Sequence, residues 1–162
     1  MRQLAKACDV QVAALYHYFD SKDALLSAVI AERNYGGRMA EPLDLDRSAP
    51  PEQRLRGVFR AMWDGAIEEE AVWRLLLGEG IRSEPAALPV GQALLDAIGP
   101  GVTGWLADWV PELDDPAAAA DVLLGLMFLG FLRHMFEPAT STSVIADQAE
   151  ESLLGVVFSR VR

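Results

Sequence analysis

Apolar side chains recur at intervals of three and four along most of this chain, the spacing that gathers them on one face of an α-helix. The first such stretch, Arg2–Cys8, sets Leu4, Ala5 and Cys8 on one side. After a turn at Asp9-Val10-Gln11, a second short helix is predicted over Val12–Phe19. Asp20 and Ser21 offer an N-cap to a longer helix, with Asp23 in the first turn where the macrodipole favours an acid. That helix turns Leu25, Leu26, Val29 and Ile30 inward and fades at Gly36-Gly37. Further on, Pro51–Glu69 carries a wide stripe of Leu55, Val58, Phe59, Met62, Trp63, Ala66 and Ile67. Glu70–Arg82 follows with Trp73, Leu76 and Leu77. Val90, Leu94, Ile98, Val102, Trp105 and Trp109 keep helical phase across Gly99-Pro100-Gly101, which predicts one kinked helix or two consecutive ones. Asp115-Pro116 opens a helix to about Phe136, and Pro138 stops it. A last helix over Thr142–Val161 places Ile145, Ala149, Ser152, Leu153, Val156 and Val157 on one face. No strand-like alternation is sustained, so the fold class is all-α.

The segment Glu41–Pro51, with Pro42, Pro50 and Pro51, interrupts the pattern and divides the chain into a module of residues 1–39 and a helical body of residues 40–162. Charge sharpens the division. Five basic side chains stand against four acidic ones in the module, and nine against twenty in the body, for a net charge of −10. An acidic body repels nucleic acid, so any DNA contact falls to the near-neutral module. Hydrophobic residues are 51% of the 162, enough for a packed core. The longest near-apolar run, Val122–Leu132, has eleven residues, short of a bilayer span. No signal-peptide stretch follows Arg2 and Lys6, and the lone Cys8 excludes an intramolecular disulfide. These features predict a cytoplasmic protein with no membrane partner.

Two short helices joined by a tight turn are the ingredients of a helix-turn-helix. The string Gln3-Leu4-Ala5-Lys6-Ala7-Cys8-Asp9-Val10, followed by Leu15-Tyr16-His17-Tyr18-Phe19-Asp20-Ser21-Lys22-Asp23-Ala24-Leu25-Leu26, narrows this further. It resembles the DNA-binding module of the TetR family of bacterial regulators, in which an IAxxAGV helix and turn precede LYxHFxxKxxL. The resemblance implies that the Tyr16 hydroxyl reaches a DNA phosphate, that Tyr18 stands at the family's frequent histidine with His17 as its variable neighbour, and that Lys22 supports the phosphate backbone. It implies that Leu4, Ala5, Cys8, Val10, Leu15 and Phe19 form the small core beneath. Asp9 stands where the family has glycine, and Asp tolerates a positive φ better than most residues. Gln11 replaces the usual Ser or Thr cap of the recognition helix and is the best remaining base reader. Val12, Ala13 and Ala14 occupy positions of polar readers, and Ala14 offers only apolar contact, for example to a thymine methyl. Met1 falls at the start of the family's second helix, so the polar arm and first helix are not among these residues, and the DNA-binding unit is expected to be incomplete.

In the body, Phe59, Met62, Trp63, Trp73, Trp105, Trp109, Met127, Phe128, Phe131 and His134 concentrate aromatic and soft side chains. Singly, each reads as core. As a set, and with what the resemblance implies, they are the expected lining of a cavity for a small apolar ligand, with Asp64, Asp108 or Arg133 as candidate polar contact. The helix over 117–136 is apolar nearly all round, and Gly125 and Gly130 allow another helix close. With the last helix it suggests a homodimer interface, as the resemblance also implies; the other reading is an intramolecular core.

No phosphate loop, metal-ligand spacing or GxSxG motif is present, so no enzyme, metal or cofactor is expected. The expected function is a TetR-like, ligand-responsive regulator, a repressor that binds operator DNA as a homodimer when full length. The alternative is a ligand-binding and dimerisation module that has lost DNA binding. A small all-α enzyme would require convergent ionisable groups around the cavity.

Overall fold

Local stop and start signals set the helix boundaries. The computed structural model describes residues 1–33, 39, 41–83, 85 and 87–158. Among these there are eight helices and no strand: α1 (Arg2–Ala7), α2 (Val12–Tyr18), α3 (Lys22–Arg33), α4 (Pro51–Glu68), α5 (Glu70–Ile81), α6 (Ala87–Trp109), α7 (Pro116–Phe136) and α8 (Thr142–Phe158). Of the two candidate caps of α3, Ser21 serves: its Oγ accepts the Ala24 amide at 3.0 Å. Asp115 caps α7 by accepting from the Ala118 amide at 2.9 Å, with Pro116 in the first turn. Gly36, Gly37 and the segment after Phe158 lie outside the described residues.

α6 is one helix through Pro100, the first of the two alternatives. Proline brings no amide donor, which leaves the Asp96 carbonyl without its helical partner. The flanking glycines reduce crowding, and Thr103 Oγ1 adds a hydrogen bond to the Gly99 carbonyl at 3.0 Å. Gly101 also gives Met39 its place, since a Cβ there would lie 2.7 Å from the Met39 Cβ.

The core lies where α4, α6, α7 and α8 converge. Leu55, Phe59 and Trp63 of α4 are buried there with Val102 and Leu106 of α6, Leu123 of α7 and Ile145 and Leu153 of α8. α7 packs between α6 and α8, while α5 packs on α4 and α6. The tightest approach is at Gly130, where a Cβ would meet Trp63 Cζ3 at 2.8 Å and Ile145 Cγ2 at 3.3 Å. By length and composition α7 is apolar enough to cross a membrane, in contrast to the run counted from the sequence, because Ala117–Ala120 extend the apolar stretch. Only 33% of that stretch is buried within the chain, so much of its apolar surface faces outward.

The proline-rich segment between module and body is a strap rather than a spacer. Leu43 and Leu45 pack onto the core, and Leu45 fills the space over Gly57. Arg47 stacks over the Trp109 ring at 4.0 Å and pairs with Asp108 at 2.7 Å.

In the module, α3 packs against α6 and contributes Leu26 to the body's core. Beneath the helix-turn-helix the expected small core is only partly formed. Ala5 is buried, but Leu4, Cys8 and Val10 are exposed because no described residue covers that side of α1 and the turn. Val29 is likewise exposed, while Ile30 packs partly against the body. Two ion pairs hold α3 to this side of the body: Lys22–Glu79 of α5 at 3.2 Å, and Arg33–Glu69, at the junction of α4 and α5, at 3.1 Å. Hydrogen bonds from Arg82 first, and from Lys22 second, hold the Glu79 carboxyl below the ordinary carboxylate range.

Gly130→Ala is expected to force Trp63 and Ile145 apart and to cost about 1–3 kcal/mol of stability in urea unfolding. Gly104→Ala, where a Cβ meets nothing within 4 Å, is expected to gain roughly 0.5–1 kcal/mol. A second expectation follows from the depressed carboxyl of Glu79. Its contribution to stability is present at neutral pH and is lost as pH falls through the lowered folded value. Melting temperatures recorded from neutral to acid pH should therefore converge between the wild type and Glu79→Gln, with the variant lower at pH 7; parallel curves would exclude this pair as a contributor.

Candidate functional site

The turn before α2 explains why that helix stands free. Asp9 takes a left-handed conformation with φ 53°, the geometry that glycine usually supplies, and the Val10 amide returns to the Ala5 carbonyl at 2.9 Å. Gln11 then occupies the N-cap position without a side-chain cap bond, as its replacement of Ser or Thr implies. No residue of α2 is buried. Gln11, Ala14, Tyr16, His17 and Tyr18 all face solvent, with Tyr16 51% and Tyr18 78% exposed. The His17 and Tyr18 rings meet edge to face at 5.2 Å, which gives the C-terminal end of α2 an aromatic tip. Five of the six residues expected to meet DNA thus share one exposed helix and its cap. Lys22, the sixth, is exposed but already engaged by Glu79 of α5.

The second feature is a cleft of about 700 Å³ in the body. Its walls come from α4 (Ala61, Met62, Gly65, Ala66), α5 (Trp73, Leu77), α6 (Leu95, Ile98, Trp105) and α7 (Leu124, Met127, Phe128, Phe131), and Met39, Glu41, Pro42 and Leu43 complete it. Of the ten residues expected to line a cavity, Met62, Trp73, Trp105, Met127, Phe128 and Phe131 do so. The other four do not. Phe59 and Trp63 are stacked, with centroids 6.3 Å apart and planes 9° apart, in the core. Trp109 is buried under Arg47. His134 Nε2 sits 3.1 Å from Glu70 Oε2, where it helps to hold that carboxyl below its ordinary range together with Arg74.

The candidate polar contacts also change. Asp108 is taken by Arg47, and Arg133 is bound to Glu137 and Gln148. Asp64 does not line the cleft. The ionisable residues along it are Glu41 and Asp121 instead. Trp105 joins strap to helix by donating its indole N–H to the Glu41 carbonyl at 3.2 Å. Neither the strap residues nor the small residues of α4 carry a signal in a search for large apolar side chains; the glycine and alanines at 61, 65 and 66 were the available clue. Among the described residues no group of His, Cys, Asp and Glu is placed to hold a metal ion.

No curated protein and no solved structure matches the chain. Residues 1–29 match the family model for bacterial regulatory proteins, tetR family. The matched stretch comprises α1, the strained turn, α2 and the first part of α3, and it supports a tetR-type DNA-binding helix-turn-helix at the N-terminal end of this chain.

Proposed function

We infer that this protein is a ligand-responsive transcriptional repressor of the TetR type: a homodimer that holds operator DNA through α2 and lets go when a small apolar molecule occupies the body cleft. The observation that carries the reading is the coincidence of the family match with a helix none of whose residues is buried. An exposed second helix is what major-groove entry requires. Tyr16 and Lys22 serve as phosphate contacts, which position the helix, and Gln11 is the residue with hydrogen-bonding capacity at its N-terminal end. The cleft supports the ligand half of the reading by its size and its apolar walls.

Dimerisation is supported by surface that the chain leaves uncovered. Leu129 is 54% and Phe136 79% exposed on α7, and Val156 46% on α8. Between the two helices runs a groove whose apolar lining, Leu126, Leu129, Gly130, Ile145 and Ala149, is joined by Arg133, Gln148 and Ser152. Exposed apolar side chains beside polar ones mark an association face, and a second copy meeting it about a two-fold axis covers α7 and α8 on both sides. A carboxylate in the middle of that face must be desolvated without a partner. Leu129→Glu is therefore expected to turn a dimer into a monomer in sedimentation velocity with its helicity intact; an unchanged oligomeric state would move the interface elsewhere.

The test of the whole is a titration of the protein, by fluorescence anisotropy, against DNA from upstream of its own gene. Binding is expected, weakened roughly tenfold by Tyr16→Phe through loss of a hydrogen bond to a charged phosphate. Lys22→Gln is expected to lower the salt slope by about one. The neutral dye Nile red reports on the cleft. Gly65→Leu adds a side chain where a Cβ meets nothing within 4 Å and is expected to expel the dye while DNA binding persists. Dye binding without any DNA affinity would favour the second reading, a ligand-binding and dimerisation module. That reading has its own support in the apolar Val12-Ala13-Ala14 and in the engagement of Lys22 by Glu79.

A further inference from the structure

The charge of the cleft wall is one-sided. Its described lining contains no Lys, Arg or His, while Glu41 and Asp121 both lie along it. Among the described residues neither carboxylate is engaged in an ion pair, whereas the acids of α5 and α8 each have an arginine partner. The body around them carries nine basic side chains against twenty acidic ones, so its field favours cations on approach. Trp73, Trp105, Phe128 and Phe131 add π faces, whose quadrupole attracts a cation within about 6 Å. Met39, Met62 and Met127 add polarizable thioethers that adapt to the shape of an occupant.

These features sort ligands by charge. An anion would surrender its hydration to meet two carboxylates and no counter-charge. A neutral apolar molecule would strip water from the carboxylates without replacing it. A cation on an apolar body gains at both points, since it partners the carboxylates while its body fills the space between α4 and α7. Resting on the cleft reading given above, we propose that the ligand is a lipophilic organic cation, with Glu41 and Asp121 as counter-ions and the faces of Trp73 and Trp105 as its bed. The charge of the lining, rather than its volume alone, then sets which molecules act on the protein.

Two probes of nearly the same shape and opposite charge test this. Tetraphenylphosphonium and tetraphenylborate are titrated against the full chain by calorimetry, with Nile red displacement as a second readout. The phosphonium is expected to bind more tightly and to displace the dye. Asp121→Asn and Glu41→Gln, each isosteric and on an exposed residue, are expected to cut its affinity roughly two- to fivefold apiece, the worth of a part-exposed charge pair. The same variants, which remove charge that a neutral occupant desolvates, are expected to leave Nile red affinity equal or raised and to improve borate binding. Equal affinity for both ions, or phosphonium binding indifferent to both substitutions, would overturn the ligand class while dye binding keeps the cleft reading intact. Failure of the dye and of both ions to bind would remove the cleft reading, and the ligand class with it. Circular dichroism of each variant separates a lost counter-ion from a lost fold.

Discussion

The body is organised around the seating of Trp63 in the notch at Gly130. Three helices meet there: α4 supplies the indole, α7 the missing side chain and α8 the Ile145 methyl that closes the far side. The Phe59 ring stacks beneath the indole, so two of the largest side chains of α4 are committed to one side of that helix. What remains toward α5 and α6 is small: Ala61, Gly65 and Ala66, with Met62 as the exception. A helix that spends its bulk on one face leaves space on the other. The cleft is in this sense a consequence of the core, because the neighbouring helices are held at the distance that Trp63 and Gly130 set, and residues 61, 65 and 66 do not reach across it.

The strap converts that space into a site with walls. Segment 41–50 has no helix, yet it is fastened along its length by Trp105 to the Glu41 carbonyl, by Leu45 over Gly57 and by Arg47 over Trp109. Each fastening joins strap to α4 or α6. Met39, Leu43 and Trp105 belong to both the fastening and the lining. An occupant of the cleft therefore touches the strap as well as α5, whose Glu79 is paired with Lys22 of α3.

Periodicity exposes the eight helices among the described residues because a 3.6-residue repeat in apolar positions reports directly on which face is buried. The turn before α2 was legible for a different reason, since Asp9 is among the few residues that hold a positive φ without large strain. The cleft was legible only in part. A helical stripe records that a side chain is covered and says nothing of whether protein or empty space covers it. Phe59 and Met62 lie one turn apart and cannot be sorted by pattern, although the first is fully buried and the second faces the cleft. Charged partners are less legible still. Arg47 with Asp108 and Lys22 with Glu79 are each separated by more than fifty residues, and only the tertiary fold brings them together.

Lys22 joins the helix-turn-helix module to α5 by a contact that costs little to break. Its side chain is 58% exposed, so parting from Glu79 exposes little of it that was hidden, and a part-exposed pair contributes little stability. Glu79, whose side chain is only 9% exposed, keeps Arg82 at 2.9 Å, so the departure of Lys22 leaves no carboxylate stranded without a partner. On the proposed function, a DNA phosphate would compete with Glu79 for Lys22. Glu79 sits on α5 two residues beyond Leu77, which lines the cleft, and one turn and a half beyond Trp73, which also does. On the proposed function, a ligand that shifts α5 would move both the cleft wall and the carboxylate that holds Lys22. Such a shift changes DNA affinity only to the extent that the ligand prefers one position of α5 over the other. The ion pair supplies a small, adjustable term in that difference, and the packing of α3 on α6 through Leu26 supplies the rigid frame against which it is felt.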